Sequence, residues 1–186
     1  DKVVNGSVIP FGIFKEHMNQ DMPLQDGSYW DYLTETFAQA SKMRAEDFSE
    51  EQVQLCTLDR MLQLREAIAK MPLKQSFLND LEQSFQKNFN TSIGGTPVFL
   101  RSDTNMEDLD SFTGAGLNLT VFNVRDREKI LKGIKDVWAS PYTERSFKWR
   151  QQYLNNPENV YPSILIIPSV DVEYSGVLIT KGISNN

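Results

Sequence analysis

The hydrophobic pattern of this chain changes period at Gly94-Gly95-Thr96-Pro97, and that change restricts its fold more than any other feature. Before this point, apolar residues recur every three or four positions, which is typical of amphipathic helices. After it, short apolar runs and alternating stretches indicate strands. We therefore predict an α+β fold, with a mostly helical segment over residues 1–93 and an α+β portion over residues 94–186.

The first segment contains clear helix boundaries. Ser49-Glu50-Glu51-Gln52 fits a capping box, in which the serine and glutamine side chains satisfy free backbone amides. Pro72 predicts the end of the helix that follows, because proline has no amide hydrogen. An apolar stripe over residues 77–89 predicts another helix. No chemistry is recognisable in these helices, so we expect them to be scaffold.

The second segment begins with a predicted buried strand, residues 98–100, which runs into a polar loop over residues 101–113. Asp126 and Ser140 are placed to cap two later helices, the second with proline at its first position. Three further strands are predicted, at residues 117–121, 164–167 and 174–180.

Composition excludes several classes of protein. The formal net charge of −6 disfavours nucleic-acid binding, which requires a basic surface. No apolar stretch approaches the roughly 18 residues of a membrane span. The first residues lack both an initiator methionine and the apolar core of a signal peptide, so we expect a cytoplasmic chain cut from a longer protein. The single cysteine and single histidine disfavour a disulfide or a metal cluster.

Arg101 is the first candidate for binding chemistry. Its guanidinium is suited to gripping phosphate oxygens in a fork and stays charged at any relevant pH. Downstream, Thr113-Gly114-Ala115-Gly116 offers small residues whose backbone amides can approach an anion. By residue type alone, a solvated polar loop is the simpler interpretation. The Gly-Lys-Ser ending of a phosphate-binding loop is absent.

Ordered motifs along the chain add a family resemblance. The chain resembles the phosphoenolpyruvate synthase and pyruvate phosphate dikinase family in the runs RSDTNMEDL (101–109), FTGAGL (112–117), NV (123–124), VWASPYTERS (137–146) and SGVLIT (175–180), and in NGSVIPF (5–11) near its start. These runs keep the family's order over most of residues 98–180.

The resemblance implies a partial ATP-grasp-like nucleotide-binding domain, a fold in which two lobes clamp ATP. It implies that Arg101 contacts the ATP phosphates and that Thr113, Gly114, Ala115 and Gly116 belong to the loop that closes over them. It also implies that the strand over residues 164–170 binds adenine through its backbone, with Ser169 and Val170 nearest the hinge. The phosphoryl group would pass from ATP to a histidine on a swivelling domain of the same parent chain.

Differences from the family pattern leave the function open in part. The family's lysine motif is expected before residue 1, and its magnesium ligands after residue 186, so this fragment alone is expected to be inactive and to bind no metal itself. Ile167 and Ser169 stand where many members carry glutamine and methionine, and Asp103 and Asp110 also depart from the pattern. Alternatives are a dikinase that phosphorylates a glucan or an antibiotic, and a degenerate, non-catalytic nucleotide-binding module.

Overall fold

The computed structural model describes residues 4–105, 108–109, 112–113, 119–153, 158–174 and 176. In chain order, its helices and strands are β1 Ser7–Ile9, α1 Phe11–Met18, α2 Tyr29–Ala45, α3 Glu50–Lys70, α4 Gln75–Phe89, β2 Val98–Thr104, β3 Asp108–Leu109, β4 Phe112–Thr113, β5 Thr120–Val124, α5 Arg127–Ala139, a short 3-10 helix Ser140–Tyr142, α6 Glu144–Tyr153 and β6 Pro162–Pro168. The predicted α+β class is confirmed.

Local sequence signals account for most helix boundaries. Ser49 forms the predicted capping box with Gln52: its Oγ accepts from the Gln52 amide, and the Gln52 Oε1 accepts from the Ser49 amide. The helix ends at Lys70, before Pro72, as predicted. The Asp126 side chain accepts from the Lys129 amide and caps α5, which is also as predicted.

Four strands form one antiparallel sheet in the order β1-β6-β2-β5. The long central pair is β2 with β6, which runs in unbroken register from Val98 opposite Pro168 to Thr104 opposite Pro162. Short strands β3 and β4 form a separate two-stranded hairpin between β2 and β5. The polar segment predicted after residue 100 therefore contains regular structure.

One face of the four-stranded sheet, here called the inner face, is covered by helices. Leu100 and Ile166 point into this side and are fully buried, together with Trp138 of α5 and Phe14 of α1. Helix α5 lies so close to β2 that a Cβ on Gly133 would come within 2.6 Å of the Leu100 side chain. The helices thus form one hydrophobic core with the inner face.

Two predicted boundaries are wrong. Strand β2 continues to Thr104, four residues beyond the predicted end, because residues 101–104 pair with β6 and one of their faces stays exposed. Ser140 is not a helix N-cap. It caps the C-terminus of α5, donating its hydroxyl to the Val137 carbonyl, and it begins the 3-10 helix. Helix α6 begins only at Glu144.

Other predictions are met in part. The strand predicted at residues 117–121 is found as Thr120–Val124, and residues 117–118 lie outside the described residues. Most of the strand predicted at 174–180 also lies outside them. The division between residues 93 and 94 stays a prediction. No helix in the described part of the chain combines the length and apolar character needed to cross a membrane.

Candidate functional site

No helix of the described residues covers the second face of the sheet, which is here called the outer face. Strand alternation and cross-strand pairing place nine side chains on it: Val8, Phe99, Arg101, Asp103, Thr120, Phe122, Ser163, Leu165 and Ile167. Several are apolar and remain exposed, with Val8 at 62% and Phe122 at 70% of their surface accessible. An open apolar sheet face of this kind is typical of a binding surface.

At one end of the outer face lies an apolar row. Ile167 of β6 is directly opposite Phe99 of β2. The Phe99 ring meets the Phe122 ring edge to face, with 5.9 Å between centroids. Asn123 has a positive φ of 48° at the register shift in β5. Asparagine tolerates this conformation, and such a bulge re-aims the neighbouring side chain. The row offers flat aromatic and aliphatic surface.

Arg101 occupies the next row, about 7 Å farther along β2. It lies directly opposite Leu165 of β6 on one side and Thr120 of β5 on the other. Arg101 is exposed, and no carboxylate among the described residues lies within ion-pair distance of it. Its position in mid-strand, rather than on the predicted loop, fixes its backbone in the sheet.

The third row is polar and consists of Asp103 and Ser163. The two residues are directly opposite each other, and the Ser163 hydroxyl donates to the Asp103 Oδ2 over 3.2 Å. Ser163 is buried, whereas Asp103 is exposed. Along β2 the outer face therefore passes from an apolar row through a cation to a carboxylate.

The predicted hinge residues follow the end of β6, next to the apolar row. The Ser169 amide donates to the Pro97 carbonyl over 2.8 Å, which keeps the chain beside β2 after the strand ends. The Ser169 Oγ is buried and has no hydrogen-bond partner among the described residues. Val170 is more than half exposed. The structure thus brings Ser169 to the same end of the sheet as Phe99 and Ile167.

The predicted phosphate loop is described only in part. The backbone of Thr113 pairs with Asp108 in the β3–β4 hairpin, which follows β2 directly. Gly114, Ala115 and Gly116 lie outside the described residues. Whether these four residues lie beside Arg101 stays a prediction.

Sequence reasoning missed the Asp103–Ser163 pair and the apolar row around Phe99. Asp103 and Ser163 are 60 positions apart, and their contact depends on the register between β2 and β6. The alternation of residues 99, 101 and 103 was the available signal, since period-two alternation is the pattern of a half-buried strand.

The carboxylates of the described residues form no metal centre. No group of three or more histidine, cysteine, aspartate or glutamate side chains in these residues is arranged to hold a metal ion. Asp103 is the carboxylate on the outer face, and its Oδ2 already accepts from Ser163. A divalent ion would need further ligands from elsewhere.

Comparison with known proteins agrees with the resemblance found in the motifs. The family described as pyruvate phosphate dikinase, AMP/ATP-binding domain, matches residues 25–185. The chain belongs to this family, and it is a dikinase-type nucleotide-binding domain. The resemblance inferred from residues 101–180 is thereby confirmed.

Three similar proteins illustrate the range of relatives. The chain is 27% identical over 189 residues to the phosphoenolpyruvate synthase of Pyrococcus furiosus, covering 100% of this chain and 21% of that protein. It is 31% identical over 83 residues to a probable phosphoenolpyruvate synthase of Methanothermobacter thermautotrophicus, covering 45% of this chain and 12% of the relative. It is 37% identical over 81 residues to a rifampicin phosphotransferase of Bacillus cereus, covering 44% of this chain and 9% of the relative. The chain spans about a fifth or less of these relatives.

Proposed function

We propose that this chain is the ATP-binding portion of a phosphoenolpyruvate synthase or pyruvate phosphate dikinase type phosphotransferase, which passes a phosphoryl group from ATP to a histidine on another domain. The observation that carries the proposal is the order of side chains on the outer face, together with membership of the family. An ATP-grasp-like arrangement, in which a second lobe covers this face, belongs to the same proposal.

The order of the rows suits a nucleotide. An adenine ring favours the flat apolar surface of Phe99, Phe122 and Ile167, beside the backbone at Ser169 and Val170. The phosphates then extend along β2 toward Arg101, whose side chain lacks a carboxylate partner among the described residues. Arg101 lies four positions after Pro97, which accepts from Ser169, so the two are about 14 Å apart along the strand.

Arg101 would supply positioning and charge neutralisation. Phosphoryl transfer depends on these effects more than on covalent help from the protein. Strand pairing on both sides fixes the Arg101 backbone, so only its side chain has to be ordered when it meets the phosphates. Thr113, Gly114, Ala115 and Gly116 are proposed to complete the phosphate site with backbone amides.

Several components are proposed to lie outside this chain. Magnesium would neutralise phosphate charge when bound, and its ligands are assigned to other parts of the full-length protein. The phosphohistidine is likewise assigned to a swivelling domain, because His17, the single histidine here, is buried. We expect this chain alone to be inactive and the full-length protein to act in the cytoplasm.

A second candidate acceptor is an antibiotic or a glucan in place of pyruvate. The similarity to a rifampicin phosphotransferase, which covers 44% of this chain, favours an antibiotic as this second candidate. The ATP-binding portion would serve either reaction, since the acceptor is bound by other domains.

Phosphoryl transfer to histidine can be tested by labelling. The full-length protein is incubated with radiolabelled ATP and magnesium without an acceptor, then freed of nucleotide. We expect a label on the protein that is lost in acid and stable in base, as a phosphohistidine is. Arg101→Ala should lower the labelling rate at least tenfold, because removing one partner of a desolvated charge pair costs about 2–5 kcal/mol.

Arg44→Ala is the matched control. Arg44 forms an exposed ion pair with Glu50 where α2 and α3 meet, so its loss removes the same charge away from the outer face. This variant should label at the wild-type rate. Absence of any acid-labile label on the wild-type protein would refute the proposed reaction, and normal labelling of Arg101→Ala would refute the role of Arg101.

A further inference from the structure

Asn105 closes the β2–β6 ladder with its side chain. Its backbone amide donates to the Tyr161 carbonyl over 3.3 Å, as in an ordinary antiparallel pair. The return bond is different, because the Tyr161 amide donates to the Asn105 Oδ1 over 2.7 Å. The Asn105 Nδ2 also donates to the Asn159 carbonyl over 2.9 Å. One side chain therefore joins the residue that follows β2 to two residues that precede β6.

In this arrangement a side-chain oxygen, and not the main-chain carbonyl, makes the last hydrogen bond of the ladder. In a regular pair the Asn105 carbonyl would accept from Tyr161, which would keep the backbone in the plane of the sheet. Here the side-chain oxygen takes that place. The last hydrogen bond of the ladder, two residues after Asp103, therefore does not use the Asn105 main-chain carbonyl.

The segment that Asn105 holds is itself fixed against the helices. The Tyr161 ring stacks on Trp30 of α2, with 5.4 Å between centroids and 9° between planes. The Lys15 ammonium of α1 lies 5.5 Å from the Tyr161 centroid and 5.9 Å from that of Trp30. The Tyr161 hydroxyl also donates to the Asn159 Oδ1, a hydrogen bond within the segment itself.

We propose that Asn105 is a positioning residue of the nucleotide site. It fixes the end of β2, which carries Arg101 and Asp103, against the residues that precede β6. The inference rests on the proposed function, because the affected ligand is ATP. Asn105 does not itself touch the ligand in this proposal.

Isothermal titration of the full-length protein with ATP and magnesium tests the role of Asn105. We expect Asn105→Ala to raise the Kd for ATP about tenfold while the number of sites per chain stays at the wild-type value. A variant that merely misfolds would lower the number of sites instead. Asn105→Asp keeps the acceptor for Tyr161 and loses the donor to Asn159, so its Kd should lie between those of wild type and alanine. Asn79→Ala, which removes one exposed hydrogen bond on α4, is the control and should not change the Kd.

Amide hydrogen exchange supplies a second readout on the same proteins. The Tyr161 amide should lose protection in Asn105→Ala and keep it in Asn105→Asp, because an acceptor oxygen remains only in the second variant. Unchanged ATP affinity in Asn105→Ala, when Arg101→Ala does weaken binding, would overturn this inference and leave the proposed function intact. Equal affinity of wild type and Arg101→Ala would count against the proposed function instead.

Discussion

At the scale of single residues, His17 shows how a polar group is fixed inside the core. Its Nδ1 donates to the Ile13 carbonyl over 2.8 Å, and its Nε2 accepts from the Lys74 amide over 3.1 Å. The ring packs against Trp138 and Phe77, with centroids 4.9 Å and 5.2 Å away. Accepting from an amide requires an unprotonated Nε2, so the buried ring is neutral. Burial lowers the pKa of His17 below its ordinary value.

This lowered pKa predicts a pH-dependent stability. Below about pH 6.5 the unfolded chain takes up a proton at His17 that the folded chain does not, so the free energy of unfolding should fall as the pH falls. The slope approaches about 1.4 kcal/mol per pH unit until the lowered folded pKa is reached. Urea unfolding of this chain at pH 7.5 and pH 5.5 measures the difference.

His17→Gln provides the comparison for that measurement. It should be less stable at both pH values, but its stability should change less between them. The lowered pKa values of Glu16, Asp31 and Asp126 act at lower pH, near the ordinary range of carboxyl groups, and leave this interval unaffected. An equally steep pH dependence in His17→Gln would show that another group is responsible.

Residue chemistry was predictable from the sequence where it depends on one side chain or on its near neighbours. The suitability of Arg101 for phosphate follows from its guanidinium alone. The capping role of Ser49 follows from Gln52 three positions later. The Asp103–Ser163 bond and the Asn105 contacts were not predictable, because each joins residues more than 50 positions apart through the register of the sheet.

At the scale of helices and strands, predictions were wrong where solvent-exposed polar residues interrupt the hydrophobic pattern or where a local signal has two interpretations. The charges of Arg101 and Asp103 favour a loop after Leu100, but both residues lie on the outer face of a continuing strand. The Ser-Pro pair at 140–141 predicts the start of a new α-helix, but the Ser140 hydroxyl donates to the Val137 carbonyl of the preceding helix. The strand predicted at residues 164–167 is confirmed and is longer, Pro162–Pro168, since its apolar residues form a continuous run.

The contact between the turn at Gly94 and the start of α5 predicts a sensitive position. Gly94 has a φ of 95°, and a Cβ there would lie 2.6 Å from the Arg127 amide nitrogen and 2.9 Å from the Asp126 carbonyl carbon. Both atoms are backbone and cannot move aside separately. Gly94→Ala should therefore lower the free energy of unfolding by about 2–4 kcal/mol, combining strain at positive φ with overpacking. Denaturant unfolding of this chain measures the change.

Gly12→Ala is the control for Gly94. Gly12 lies in α1, and a Cβ there would meet no atom within 4 Å. Alanine should stabilise the helix by about 0.5–1 kcal/mol relative to glycine. Comparable effects of the two substitutions would contradict the packing described between the Gly94 turn and α5.

At the scale of the whole molecule, the helices of the described residues cover one face of the sheet and leave the other open. The inner face joins Leu100, Ile164 and Ile166 to the helical core. The outer face keeps exposed apolar groups such as Val8 and Phe122 in place beside Arg101. This one-sided arrangement leaves a flat apolar surface and an exposed cation side by side on the outer face. The change of hydrophobic period along the chain predicted helices and strands, but neither their packing into two layers nor which face of the sheet would stay open.

Comparing ATP with adenosine tests the central claim most directly, because the two ligands share the base and sugar and differ in the phosphates. Their affinities for the full-length protein are measured by titration in wild type and in Arg101→Ala. If Arg101 binds the phosphates, the substitution should weaken ATP binding at least tenfold and change adenosine binding less than twofold. Equal weakening of both ligands, or no weakening of ATP binding, would contradict the assignment of Arg101 to the phosphates on the outer face.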